Sequence, residues 1–91
     1  MRLQNKKRTK YEIVYLILKA INEGGEVTEE TLVLRTNLGR KTLDRYITKL
    51  SKAGLIKQTN NTFTLTEQGE KALKILELTR ELEKELNEEI V

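Results

Sequence analysis

Residues 28–56 carry the clearest structural pattern of this chain and read TEETLVLRTNLGRKTLDRYITKLSKAGLI. The pattern predicts a short helix capped by Thr28, a tight turn at residues 37–39, and a second helix over residues 40–53. Gly54 ends that second helix, because glycine readily adopts the left-handed conformation that follows a helix. The two apolar residues after Gly54 then enter a strand.

The helix predicted for residues 40–53 is amphipathic, and its polar side is basic. At about 100° per residue, its apolar side chains fall on one stripe, which consists of Leu43, Tyr46, Ile47 and Leu50. Arginine can bond guanine through two hydrogen bonds, threonine can contact base edges, and lysine neutralises phosphate. Asp44 is the one acidic residue of this helix. The opposite face holds Lys41, Arg45, Thr48 and Lys52, with Lys49 beside them. The candidate DNA-contacting residues of this helix are Arg40, Lys41, Thr42, Arg45, Thr48, Lys49 and Lys52.

A polar β-hairpin is predicted after this helix. Asn60 and Asn61 suit its turn, since asparagine tolerates positive φ. Phe63 lies in a run that alternates apolar residues with threonine, the period of a half-buried strand. Val27 is expected in a short strand that pairs with the hairpin. Lys57 could reach a phosphate and the two asparagines could offer amide contacts, although a hairpin without DNA contact fits the sequence equally well.

A helix-turn-helix followed by a small hairpin is the layout of a winged-helix domain. The expected fold class is therefore mainly α with a small β-hairpin, a winged helix-turn-helix plus a long C-terminal helix. The length of 91 residues suits one small domain. We expect a flexible basic arm over residues 1–8, the winged-helix domain over residues 9–66 and a C-terminal dimerisation helix over residues 67–91.

The first helix is expected from Thr9 to Glu23, ended by two glycines. Apolar residues surround its axis, so the helix must be covered on more than one side. The side chains expected to point away from the domain core, toward a dimer partner, are Tyr11, Tyr15 and Leu18.

The last helix is predicted from Glu67 to about Ile90, after the cap Thr66. Its length of about 36 Å exceeds what so small a domain can cover. A narrow apolar seam flanked by glutamate and lysine suits a two-helix coiled coil. The predicted dimer interface on this helix comprises Ile75, Leu78, Leu82, Leu86 and Ile90. The alternative is an amphipathic tail that lies along its own domain.

Basic residues are concentrated in two segments, although the net charge is only +3. Residues 1–10 contain five cations and no acid, and residues 40–57 contain six cations and one acid. This segregation indicates a polyanionic partner. We expect the arm to follow the DNA backbone or minor groove through Lys6, Lys7 and Arg8, the alternative being a disordered solubilising end.

The composition argues against catalysis, because the chain has no histidine and no cysteine. It thus lacks the commonest general base, disulfides and thiolate metal ligands. No glycine-rich phosphate loop or nucleophile–base pair is visible, so we expect no enzyme, cofactor, metal or small-molecule effector. No apolar run approaches the roughly 20 residues of a membrane span. The expectation is a soluble, cytoplasmic protein associated with a chromosome or plasmid.

Two segments resemble the small archaeal winged-helix DNA-binding proteins that place a coiled-coil dimerisation helix after the wing. These are NLGRKTLDRYITKLSKAGLIK, residues 37–57, and FTLTEQGEKAL, residues 63–73. The resemblance covers about residues 11–86 and implies a dimeric DNA binder, either chromatin-like or a repressor. The phrase K-L-x-x-x-G-L-I, which starts at Lys49, is shared with many bacterial and viral regulators and identifies the fold more than the role. The uncharged hairpin tip departs from strongly DNA-binding relatives.

The leading interpretation is a homodimeric double-stranded DNA-binding protein, a transcriptional regulator or chromatin-type protein, with residues 40–53 in the major groove. The alternative is a winged-helix protein–protein interaction module without DNA binding, in which the acidic last helix binds another protein. The cations on the groove-facing side favour the DNA interpretation.

Overall fold

The computed structural model describes the backbone of residues 9–90 and the side chains of residues 9–86. The elements in chain order are α1 (Lys10–Gly24), β1 (Val27–Thr28), α2 (Glu29–Thr36), α3 (Arg40–Lys52), β2 (Ile56–Thr59), β3 (Thr62–Leu65) and α4 (Glu67–Ile90). The predicted fold class, mainly helical with a small sheet and a long last helix, is confirmed. The predicted arm over residues 1–8 lies outside the described residues. Across residues 9–90, no helix is long and apolar enough to cross a lipid bilayer.

The sheet has three antiparallel strands in the order β1-β3-β2. Val27 pairs with Phe63, which confirms the predicted short strand beside the hairpin. β2 and β3 form the hairpin, with Thr59 opposite Thr62. Asn60 turns the chain with a φ of 57°, a left-handed conformation that asparagine tolerates.

The helix ends are set by local hydrogen bonds. Thr9 and Glu12 form a reciprocal capping box at the start of α1. The Thr28 hydroxyl accepts a hydrogen bond from the Thr31 backbone N–H at 3.2 Å and so caps α2, as predicted. Asn37 ends α2 with a φ of 59°, and the turn that follows brings α3 against the core.

The core is centred on α1, which contacts α2, β3 and α4. Ile17, Leu18 and Ile21 are fully buried there. The expectation that Leu18 points away from the core is therefore wrong. Because α2 and α4 both pack against α1, the apolar surface covered within one chain is wider than a single stripe. Tyr11 remains outward, with 75% of its surface exposed.

The start of α4 is fixed against the end of α3. The Thr66 hydroxyl donates a hydrogen bond to the Gly54 carbonyl at 2.6 Å and accepts one from the Gly69 N–H at 3.0 Å. A side chain at residue 69 would overlap the carbonyl oxygen of Leu55, so only glycine fits this approach. The hairpin therefore returns to a fixed point before the long helix begins.

Along α4, one side packs on the domain and another faces outward. Leu73 is buried in the core, and Leu76 packs partly against it. One turn later, the Arg80 guanidinium lies 4.3 Å from the centre of the Tyr15 ring. A hydrogen bond that the Lys19 ammonium donates to the Tyr15 oxygen also raises the pKa of Lys19, whose ammonium lies 5.6 Å from the same ring centre. The outward side carries the seam, whose described members are Ile75, Leu78, Leu82 and Leu86, all exposed.

Candidate nucleic-acid interface

The orientation of α3 separates an apolar side from a basic side. Leu43, Tyr46, Ile47 and Leu50 are all buried, as the apolar stripe predicted. The opposite side is exposed and carries Lys41, Arg45, Thr48, Lys49 and Lys52. Arg40 is exposed at the start of the helix, and Thr42 is half-buried. One face of α3 thus brings together five of the seven DNA-contacting residues that were predicted on this helix.

Two cations of this face are placed over an aromatic ring. The Arg45 guanidinium carbon lies 5.6 Å from the Tyr46 ring centre, and the Lys49 ammonium lies 5.7 Å from it. Cations at this distance from a ring centre are attracted by its quadrupole. Because the Tyr46 ring is held in the core, its position is fixed, and its attraction restricts where the two long side chains can lie.

Thr48 has part of its hydrogen-bonding capacity already used. Its hydroxyl donates to the Asp44 backbone carbonyl at 3.0 Å, one turn earlier. The hydroxyl oxygen can still accept a bond, and the methyl group is suited to contact with a thymine methyl. Thr48 is therefore better placed for apolar or acceptor contacts than for donating to a base.

Arg40 is paired within the protein. Its guanidinium lies 3.8 Å from the Glu29 carboxylate at the start of α2. A hydrogen bond with Asp44 raises the pKa of Glu29, burial raises it further, and Arg40 acts in the opposite direction. The proximity of Glu29 to α3 could not be predicted from the local sequence, because it arises only when the two helices pack together.

The hairpin presents an uncharged tip, as its sequence predicted. Lys57, Asn60 and Asn61 are exposed on it. The Gln58 amide donates to the Asn60 carbonyl at 3.3 Å, and the Thr62 hydroxyl donates to the Glu26 carboxylate at 2.8 Å. The remaining candidate contacts, Lys6, Lys7 and Arg8, lie outside the described residues.

The residues predicted for a dimer interface occupy different environments. A groove of about 520 Å³ runs between α1 and α4, lined by Tyr11, Tyr15 and Ile75 among others. Tyr15 is half-buried and packs against Arg80 of its own chain, and Leu18 belongs to the core. Leu78 and Leu82 are 63% and 55% exposed. The side chain of the last predicted member, Ile90, is outside the described part of the chain.

Three helices and a β-hairpin that support an exposed basic helix are the layout of a winged helix-turn-helix protein. Residues 7–84 match the winged helix-turn-helix family, and the chain belongs to this family. No curated protein sequence matches the chain significantly.

Two solved structures have the same fold. Sso10a-2, a DNA-binding protein from Sulfolobus solfataricus, is 20% identical with a TM-score of 0.78, over 89% of this chain and 87% of that one. Ligand-free NadR is 24% identical with a TM-score of 0.72, and the match covers 90% of this chain but 61% of NadR. At these identities the likeness shows the shared fold.

Proposed function

We propose that this protein is a homodimeric double-stranded DNA-binding protein that inserts α3 into the major groove and acts as a transcriptional regulator or chromatin-type protein. The observation that carries the proposal is the exposed basic face of α3. The helix carries five cations and one acid, and its apolar side is fixed in the core. Membership of the winged helix-turn-helix family and the DNA-binding relative of the same fold support this function.

The position of each cation suggests its role. Arg45 projects from the middle of α3, opposite the buried stripe, where a helix in the major groove meets base edges or a central phosphate. Lys49, Lys52 and Lys57 lie nearer the end of α3 and on the hairpin, where they would meet the DNA backbone. The basic segment at residues 6–8 would add phosphate contacts beyond the groove.

The seam of α4 supports the homodimer. Its exposed residues Leu78 and Leu82 lie about 120–180° around the helix from Leu73 and Leu76, which pack on the core, at about 100° per residue. Burying a leucine stabilises an interface by roughly 1.5–3 kcal/mol. Two or three per chain suffice for a micromolar or tighter dimer after association costs. A dimer would place two α3 helices at a fixed separation, one DNA turn or a multiple of it.

Fluorescence anisotropy with three labelled probes tests the DNA proposal. The probes are a duplex, the corresponding single strand and an RNA of the same sequence, each titrated with the full chain at several salt concentrations. We expect the duplex to bind most tightly, because the major groove of B-form DNA admits an α-helix. Tighter binding to the single strand or RNA would contradict the placement of α3 in a major groove.

The exposed seam also fits the second candidate function, a module that binds another protein through α4. The two functions differ in what occupies the seam. Sedimentation of the full chain at tens of micromolar separates them, since a homodimer requires no other component. A clean monomer that also fails to bind duplex would favour the interaction module.

A further inference from the structure

An uncharged side chain, Thr48, lies among the cations on the exposed side of α3. At about 100° per residue, it falls within about 60° of Lys41, Arg45 and Lys52 around the helix axis. All four side chains are exposed to solvent. A partner that binds the cations of this face therefore also meets Thr48.

The hydroxyl of Thr48 is turned toward its own helix. It donates a hydrogen bond to the backbone carbonyl of Asp44 at 3.0 Å. The branched side chain of threonine has few χ1 rotamers in a helix, and this bond restricts it further. The methyl group of Thr48 is therefore held in place on the exposed face by the helix itself.

The major groove of B-form DNA contains one feature that matches such a methyl group. Thymine presents its C5-methyl there, whereas the other three bases present hydrogen-bond donors and acceptors. Apolar contact with this methyl group is one way in which threonine distinguishes thymine from the other bases. The Thr48 hydroxyl has one proton and donates it to Asp44, so it does not also donate to a base. The apolar contact is thus the one for which the side chain is already arranged.

Cations on both sides of Thr48 along α3 can bring it close to the bases. Lys41 lies about two turns earlier, at about 10 Å along the axis, and Lys52 lies about one turn later, at about 6 Å. Phosphate contacts by these long side chains fix the position of a helix on the duplex. Arg45, one turn before Thr48, is restrained by the buried Tyr46 ring, whose centre lies 5.6 Å from its guanidinium carbon. The short Thr48 side chain would then face base edges in the groove.

We propose that Thr48 is a specificity-determining residue, which selects a thymine in the major groove through contact between its methyl group and the thymine C5-methyl. The inference rests on the proposed DNA-binding function. It assigns sequence preference to an apolar contact, whereas the surrounding cations provide affinity for any duplex.

Replacement of thymine by uracil gives a readout that a merely structural role of Thr48 would not change. Uracil has the same hydrogen-bonding groups as thymine and lacks only the C5-methyl. The full chain is first used to select a duplex from a random pool. Each thymine of that duplex is then replaced in turn by deoxyuridine, and binding is measured by fluorescence anisotropy.

Three variants of the full chain separate the methyl group from the hydroxyl. Thr48→Ser removes the methyl group and keeps the hydroxyl, whereas Thr48→Val keeps a methyl group and removes the hydroxyl. The matched control is Thr79→Ser on α4, where an exposed threonine hydroxyl donates the same kind of bond, to the Ile75 carbonyl at 2.9 Å. Serine, threonine and valine have similar helix propensities, so the helices should persist, and circular dichroism checks this.

We expect deoxyuridine at one thymine position to weaken binding by the parent about fourfold, the effect of exposing one methyl-sized apolar group. Thr48→Ser should bind the thymine and uracil duplexes equally, and Thr48→Val should keep the fourfold preference. Thr79→Ser should match the parent with both duplexes.

The inference alone would be overturned by a parent that binds every uracil-substituted duplex as tightly as the selected one, or by a Thr48→Ser variant that keeps the preference. A selection that enriches no sequence would overturn it as well and leave DNA binding in place. A parent chain that binds no duplex at all would overturn the proposed function and this inference together.

Discussion

Helices α3 and α4 are built alike toward the core and differently toward solvent. Each buries one apolar side, with Leu43 and Leu50 on α3 and Leu73 on α4. The outward side of α3 carries cations around Arg45, whereas the outward side of α4 carries an apolar seam that includes Leu82. The cationic face of α3 suits a polyanion, whereas the apolar seam of α4 suits another apolar surface.

The difference separates electrostatic from hydrophobic recognition within one small domain. A row of cations is stable in water and gains most by replacing the counterions of a polyanion. A row of leucines gains most when apolar surface leaves water. We therefore propose DNA contact for α3 and self-association for α4, and each proposal can be tested by altering one face while leaving the other unchanged.

The largest effect is expected from the double variant Leu78→Gln, Leu82→Gln. It keeps the net charge and the basic face of α3 but removes the apolar seam. In a dimer, binding of one α3 to the duplex brings the second α3 close to it. Without the dimer this advantage is lost, which should reduce duplex affinity by about 10²- to 10⁴-fold. Sedimentation should show a monomer, and anisotropy should show the lower affinity.

A matched control for this variant is the pair Glu81→Gln, Lys84→Gln. Both residues are exposed on the same part of α4, and together they leave the net charge unchanged. The control should stay dimeric and bind duplex as the parent does. Equal loss of affinity in both double variants would show that the seam itself is not responsible.

The next effect concerns the face of α3. Arg45→Ala should weaken duplex binding by about 1–3 kcal/mol if the side chain bonds a base at two points. The fold should persist, because Arg45 is exposed and only its side chain lies over Tyr46. The control is Arg35→Ala on α2, which removes an arginine that lies 3.5 Å from Glu23. Equal duplex affinities for the two variants would show that the proposed orientation of α3 toward DNA is wrong.

A smaller effect is expected where α4 leaves the domain. Arg80→Ala removes the guanidinium that stacks on Tyr15 and should lower the free energy of unfolding by about 0.5–1 kcal/mol, as for exposed cation–π pairs. Lys84→Ala, one turn later, should leave it nearly unchanged. Urea unfolding at fixed protein concentration compares the two, and equal stabilities would show that the stack contributes nothing measurable.

Local sequence patterns predicted the helices and the basic face of α3 because each depends on neighbours along the chain. The cap at Thr28, the turn that begins at Asn37 and the stripe through Leu43 depend only on the neighbouring residues of the chain. The resembling segment at residues 63–73 contains Gly69, and the structure supplies the reason for this glycine in the close approach to Leu55.

The misplaced and missed residues depend on how the elements pack. Leu18 was misplaced because a helical wheel gives relative angles but not how many elements cover the helix. The pairing of Arg40 with Glu29 joins residues of two helices. Such contacts depend on the angle between α2 and α3, which periodicity does not specify.

The most direct test of the division between the two helices is the salt dependence of duplex binding by the full chain and by the Leu78→Gln, Leu82→Gln variant. If the dimer contacts roughly six to ten phosphates, log K should fall with log salt at a slope of about −5 to −9. The monomeric variant should bind with about half that slope, since it offers one basic face. A full chain with no measurable duplex binding at about 50 mM salt, or the same slope for both proteins, would contradict the account.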